Sequence, residues 1–567
     1  MEGMRLENGE ERQQNWLLSS GAQTGFVVIA DRRQAIHAAV AYAGVKDVVV
    51  IAGKGHEKYQ ITNTGRRFFD DALEVREAML AWDVKSVAAA VKPLSFDGSD
   101  VRAFAGISTD TRSLRRNDLF VALRGESFDG HVYVPLALEK GAAGVIVEKG
   151  VVPPGTFTAA EAAFFEVEDT LKALGDLAHY RQKIVRKISA PVVVAVTGST
   201  GKTTVKEMVA AIFACRWPDT PSAPAERVLK TMGNFNNLIG LPLCLLPIEL
   251  KHRAAVLELG MNRQGEIARL TEIADPDIAC ILNVHGAHLE GLGSIEGVAR
   301  EKAALFAGTS RTGVLVVNLD DRHVREAAAA CPHRTTVSWT VEKERNDHAD
   351  VAAFALTCGD DGTIAFRLQI GERTVDVELQ VPGRHNVANA AAAAAIAHAA
   401  GIAAETIATG LQSFSSASKR LQIVPATGGY TILDDTYNAN PASMAAGLAA
   451  LADMGEGSKV AVLGTMLELG QASEAAHRQV GETAASIGLV RLAVVGDYAA
   501  HMADAAIAAG MNEDKVMVFS SKDDIPAWIH KLQAEGVLSE ASWVLIKASR
   551  GLRLESVVER LAEEQAT

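Results

Sequence analysis

The chain has 567 residues, room for three to five domains at roughly 100–200 residues each. Its formal net charge of −13 weighs against a general nucleic-acid binder, which needs a basic face, but leaves local phosphate sites at helix N-termini open. Hydrophobic residues reach 48% and aromatics only 5%, a balance that favours closely packed α/β layers over an aromatic-stacking surface.

No apolar run reaches the roughly 18 residues of a membrane span. The polar start MEGMRLENGEERQQNW lacks the apolar core of a signal peptide. Five cysteines form no C-x-x-C pair. Together these predict a cytoplasmic protein with reduced thiols.

In chain order, residues 26–82 read as the end of an α/β domain. DRRQAIHAAVAYAGV has helical spacing, DVVVIAG reads as a strand and DDALEVREAMLAW as a second helix. The pattern restarts near Lys85, where short strands, polar turns and one helix predict a small α/β domain ending near Ala190. PVVVAVTGSTGKTTVKEMVAAIFA is strand, loop and helix, and opens a larger domain. Apolar strands and alanine-rich helices then continue to about residue 410, including a long helix in VPGRHNVANAAAAAAIAHAAGI. The final stretch alternates again, the rhythm of a doubly wound parallel sheet. The predicted domains are therefore 1–84, 85–190, 191–410 and 411–567. A weak internal repeat links Asp31–Ile51 to Asp524–Ile546: acidic start, helix, Gly-Val stop, apolar strand, with Lys54 and Lys547 after or at the strand ends.

TGSTGKTT (Thr197–Thr204) lies between an apolar strand and an amphipathic helix, the setting a phosphate loop requires. The strict pattern fails at position 196, which is Val. The core of Gly198, Ser199, Thr200, Gly201, Lys202, Thr203 and Thr204 remains. Its backbone N–H groups can cradle phosphate at the helix N-terminus. Lys202 would neutralise the β- and γ-phosphates of ATP, and Thr203 would offer its hydroxyl to Mg²⁺. The earlier stretch IAGKGHEKYQ is no such loop, because no Ser or Thr follows Lys54.

The phosphate loop and the motifs after it resemble the Mur ligases, ATP-dependent amide-forming enzymes of peptidoglycan precursor synthesis. TMGNFNNLIGLPL, AVLELGMNRQGEI, LNVHGAHLEGLGSIEGVAREKAALF, VVNLDD and PGRHNVANAAAA occur in the family's order. DDTYNANPASM, VLGTMLELG and IKASRGLRLE resemble the members that join UDP-N-acetylmuramoyl-tripeptide to D-alanyl-D-alanine. The resemblance covers about residues 85–567. It implies three domains: a UDP-binding N-terminal domain, a P-loop central domain and a Rossmann-like C-terminal domain. The partial α/β module precedes them. A monomer is expected, open to association with other Mur ligases.

The resemblance also implies roles. Glu258 and His288 would be metal ligands with Thr203. Lys302 matches a lysine that several relatives carry as a carbamate, or is an ordinary helix-surface lysine. Lys202, Glu258, His288, Lys302 and Arg420 would form the catalytic set, with Arg420 reaching the ATP phosphates. Asn318 would read adenine and Asp435 would lie near the ribose. Ser108, Thr109, Asp110 and Arg112 would bind uridine. Thr231, Asn234 and Asn237 would face the UDP-sugar peptide, and Asn438, Asn440 and Ser443 the D-alanyl-D-alanine. Asn386 and Asn389 read as signature positions or as helix caps. Three departures stand near ligand loops: Lys419 and Ala548 where the family often has Gly, and Thr465 where it often has Asp. Two rival readings are a catalytically silent nucleotide-binding scaffold and a ligase like folylpolyglutamate synthase. An intact Lys202, Thr203 and Glu258 argue against the first. The STDTR segment and DDTYNANPASM argue against the second.

VIADRRQAIHAAVAYAGVKDVVVIAGKGHEKYQ and the FFDDALEVREAML that follows it resemble the C-terminal tail of a different Mur ligase, the one adding the third peptide residue. That makes the internal repeat two equivalent βα units. With no phosphate loop of its own, the module is expected to be a fusion relic, or a retained docking element, with an open sheet edge.

Overall fold

A computed structural model describes residues 28–43, 47–55, 57–62, 65–97, 103–125, 128–151, 162–218, 227–286, 289–342, 348–416 and 418–562. They form two compact units that divide after Ile188.

The first unit contains a five-stranded sheet in the order Ser95–Asp97, Ala163–Val167, Gly144–Glu148, Leu119–Val121, Ile107–Ser108. Only the first pairing is antiparallel. Upstream lie helix Arg32–Tyr42, a hairpin of Tyr59–Thr62 with Gly65–Phe68, and helix Asp71–Ala78. Arg32 pairs with Asp71 and Arg33 with Glu74, each at 2.6 Å, and so tie the two helices together. The expected strand DVVVIAG makes no ladder. Val48 is 87% exposed and Val50 79%. Its counterpart Trp543–Lys547 is paired on both sides, by Thr431–Asp435 and Lys459–Gly464. An extended segment needs ladder neighbours on its flanks to become a strand, and no described strand pairs with residues 47–52, although the Ala52 carbonyl accepts from Arg32 at 3.0 Å.

The boundary at residue 84 also shifts upstream. Asp83 caps helix Val84–Val91 through a capping box with Ser86. Trp82 bridges to Phe104 and lies 6.0 Å from the Tyr180 ring, and Arg181 donates to the Leu80 carbonyl. Residues 80–83 thus belong to the domain that follows them.

The second unit holds two sheets. The larger has nine strands in the order Arg373–Leu379, Ile364–Ile370, Val351–Cys358, Thr335–Val341, Val314–Asn318, Ile278–Ile281, Val192–Thr197, Ala254–Glu258, Val228–Lys230. Seven run parallel. The meander from Val351 to Leu379 adds two antiparallel edge strands, where alternating strands and helices were expected. Asp361-Gly362 and Gly371, both glycines at positive φ, turn that meander. Helix His385–Ala399 covers the sheet, and Ala390 through Ala395 are fully buried, because methyl-sized side chains let a helix approach closely. The smaller sheet orders as Gln422–Pro425, Thr431–Asp435, Trp543–Lys547, Lys459–Gly464, Arg491–Val495, Val516–Phe519, parallel after its first strand. This is the predicted doubly wound domain.

Candidate active site

A cavity of about 1010 Å³ lies in the second unit at the carboxyl ends of parallel strands from both sheets, where such folds bind ligands. Its floor is the phosphate loop. Strand Val192–Thr197 leads in, Gly201 turns the chain at φ +83°, and helix Lys202–Arg216 leads out. A side chain at Gly201 would meet Asn389 Oδ1 at 2.4 Å, so glycine is needed both for conformation and for space. Asn283 Oδ1 accepts from the Thr200 N–H at 3.0 Å. Ser199 ties the loop to His285, donating to its carbonyl and accepting from its N–H. Lys202 Nζ turns back to donate to the Gly198 carbonyl at 2.6 Å. Burial pulls this ammonium below its usual range; Glu258 opposes the shift and the Arg420 charge adds to it.

Three predicted residues form one chain of contacts. The Thr203 hydroxyl donates to Glu258 Oε2 at 2.8 Å, and Arg420 Nη2 donates to the Thr203 oxygen at 2.9 Å. Arg420 comes from the C-terminal domain, so the two domains already meet at the phosphate loop. Its guanidinium stacks 4.1 Å from the Tyr437 ring centroid. Glu258 is only 2% exposed, at the end of strand Ala254–Glu258. Asn236 Nδ2 donates to its other oxygen at 2.8 Å. A buried carboxylate beside a loop hydroxyl fits Mg²⁺, which takes one or two protein oxygens alongside substrate phosphates. His288 lies outside the described residues. Lys302 is buried rather than on the helix surface. Burial first, then the nearby Lys202 charge, holds its amine well below 10.5, against Glu301.

Three family models match the chain: a Mur ligase catalytic domain at 103–182, a Mur ligase middle domain at 196–397 and a Mur ligase glutamate ligase domain at 419–550. The UDP-N-acetylmuramoyl-tripeptide–D-alanyl-D-alanine ligase of Bacillus subtilis is 35% identical, over 86% of this chain and 99% of the relative. This chain belongs to the Mur ligase family. A crystal structure of MurF from Acinetobacter baumannii superposes with a TM-score of 0.74 at 32% identity, covering 85% of this chain and 99% of that one. MurF from Thermotoga maritima, solved in complex with ADP, gives 0.68 at 29% identity, covering 81% and 98%.

In this Mur ligase the remaining predicted residues separate into those facing the cavity and those turned elsewhere. Asn234, Asn237, Asn318, Asp435, Asn438, Asn440 and Ser443 all line it, as do Ser199 to Thr204. Thr231 does not. It is fully buried; its hydroxyl accepts from the Glu258 N–H at 2.9 Å and its carbonyl from Lys206 Nζ at 2.8 Å. It aligns the strand that carries Glu258. Asn440 and Ser443 form a capping box on helix Pro441–Asp453, so both polar ends already bond to backbone. The Asn237 Oδ1 likewise accepts from the backbone, from the N–H groups of Ile239 and Gly240 at the start of helix Gly240–Leu245. Asn318 donates to the Leu282 carbonyl and accepts from the Asp320 N–H, leaving one donor and one lone pair for a ligand. Asp435 Oδ2 is bound at 2.6 Å by Lys547, fully buried beside it in the sheet. Asn386 donates to the Pro382 carbonyl and accepts from Asn389, which makes this pair a brace under Gly201.

The uridine candidates lie in the first unit and form an Asx turn. Arg112 grips both carboxylate oxygens of Asp110 and donates its N–H to Oδ1, and so holds that carboxyl down at about 2. Ser108 Oγ accepts from the Asp110 N–H, and Thr109 sits between them.

The departures have local reasons. Lys419 sits at φ +64°, a conformation glycine accepts without strain, and pairs with Glu555 at 3.3 Å. The side chain of Ala548 is fully buried against Gly464. Thr465 presents a buried hydroxyl with no hydrogen-bond partner in this structure. Sequence reasoning passed over Asn236, Asn283, Tyr437, Lys547 and Arg550, all of which line the cavity. Lys547 had a signal in the internal repeat, and Asn236 sat within a quoted motif. Tyr437 stood between residues that were chosen for their amides.

Proposed function

We propose that this Mur ligase joins the carboxylate of UDP-N-acetylmuramoyl-tripeptide to the amine of D-alanyl-D-alanine, splitting ATP to ADP and phosphate, in the cytoplasm and as a monomer. Among the described residues no helix is long and apolar enough to cross a membrane. A carboxylate is a poor electrophile. Transfer of the γ-phosphoryl group makes it an acyl phosphate, which the amine attacks through a tetrahedral intermediate before phosphate leaves.

The residues divide this work. Lys202 exchanges the Gly198 carbonyl for the β- and γ-phosphates. Arg420, held flat on Tyr437, balances the charge of the phosphoryl group in flight. Thr203 and Glu258 would hold Mg²⁺, which offsets crowded phosphate charge when bound. Asn236 and Thr231 keep Glu258 aimed. Lys302 supplies a buried amine whose charged form burial disfavours, in keeping with the carbamate that the family resemblance implies.

The Arg420–Thr203–Glu258 chain carries the reaction class, because it brings both domains to one phosphate. The substrate pair rests on the likeness to relatives of that name across nearly their whole length. The test is phosphate release from ATP. Release that requires both UDP-N-acetylmuramoyl-tripeptide and D-alanyl-D-alanine is expected. Nucleotide binding without release would overturn the ligase in favour of a silent scaffold.

A further inference from the structure

The proposed ligation poses a charge problem. D-Alanyl-D-alanine reacts through its amine and carries a carboxylate at the far end. Leaving that carboxylate unpaired in a cavity is costly. Four lysine or arginine side chains line the cavity among the described residues: Lys202, Arg420, Lys547 and Arg550. Three are committed. Lys202 belongs to the phosphate loop, Arg420 donates to Thr203, and buried Lys547 is neutralised by Asp435 while donating to the Asn438 carbonyl at 3.0 Å.

Arg550 differs. Its side chain is 59% exposed. Its one ion pair among the described residues is long, 3.6 Å to Glu555, a carboxylate it shares with Lys419. Its fork of donors is otherwise open. Its position also fits. The Arg550 and Arg420 guanidinium carbons lie 5.6 and 4.1 Å from the same Tyr437 ring centroid, so they are at most about 10 Å apart. An extended dipeptide spans about 7 Å at roughly 3.3–3.6 Å per residue. An amine at the acyl phosphate, beside Arg420, therefore places a dipeptide's carboxylate within reach of Arg550.

We propose that Arg550 binds the terminal carboxylate of the incoming dipeptide. The inference rests on the ligation proposed above. The experiment measures KM for D-alanyl-D-alanine and for D-alanyl-D-alaninamide, which lacks the charge, on the full chain. The wild type is expected to show a KM roughly 10- to 100-fold higher for the amide, the range of a charge-assisted hydrogen-bond pair. Arg550→Met should raise the KM for the acid to that of the amide and erase the difference, with the KM for ATP unchanged. Arg550→Lys should keep part of it and checks the site if the Met variant folds poorly. Discrimination retained in Arg550→Met, or absent in the wild type, overturns the assignment alone. A wild type that turns over neither acceptor takes down the ligation as well.

Discussion

Lys302 shows how far one side chain can sit from its ordinary chemistry. Burying an ammonium destabilises the fold, the nearby Lys202 charge adds to the cost, and Glu301 offsets only part of it. Because the folded-state pKa lies well below 10.5, the unfolded chain binds the extra proton between those two values. Stability should therefore rise with pH across that window, and the cost is fully present beneath it. Lys302→Met is expected to raise stability by about 1–4 kcal/mol at pH 7 and to flatten this rise. It should also lose most phosphate release. Urea unfolding at pH 7 and 9, run beside the activity assay, checks both. A variant both less stable and fully active would contradict the reading.

The loop from Thr465 to Gly470 is held by Ser549, which accepts from the Leu467 N–H and donates its own N–H to the Thr465 carbonyl, and by one imidazole. The His477 ring is fully buried and stacks 4.5 Å from Tyr498. Its Nε2 accepts the Met466 N–H at 2.8 Å, and its Nδ1 lies 2.6 Å from the Ser473 carbonyl. That pattern requires a neutral ring with the proton on Nδ1. Burial lowers its pKa below 6.5, so its contribution is fully present above pH 6.5 and is lost as pH falls through the lowered value. His477→Phe keeps the stacking but strands the Met466 N–H, at an expected cost of about 1–3 kcal/mol. The variant should also lose less stability than the wild type between pH 7 and pH 5, as read by urea unfolding. Here the limits of the sequence become clear. The phosphate loop was legible because its chemistry lies in eight consecutive residues. The capping box at Asn440 and Ser443 was equally local, yet asparagine and serine after a strand invite a ligand reading as readily as a cap. The role of Thr231 beside Glu258 was hidden for another reason: the two lie 27 positions apart, and only the sheet pairing brings them together. The Arg420, Tyr437 and Arg550 stack joins distant segments, and no periodicity reveals it.

The whole molecule poses the question of where the ligase begins. Val48, Val49 and Val50 stay exposed while Leu80 and Trp82 are buried in the domain that follows. A chain starting at Met79 is expected to retain two-substrate phosphate release and a melting temperature close to the full chain's. Starting at Val87 removes Trp82 and cuts helix Val84–Val91 in its first turn, and should cost about 3–5 kcal/mol. Thermal unfolding of the two truncations distinguishes them. Equal stability would mean that Trp82 contributes nothing.

Six successive alanines, Ala390 to Ala395, have no exposed surface. Any larger residue there would overpack by about 1–3 kcal/mol. At the foot of the same helix, Asn389 presses on Gly201, so a helix pushed outward would carry the phosphate loop with it. Substitution along this run is thus confined to the smallest side chains. Its low complexity, which looks like freedom to drift, is one of the narrowest alphabets in the protein.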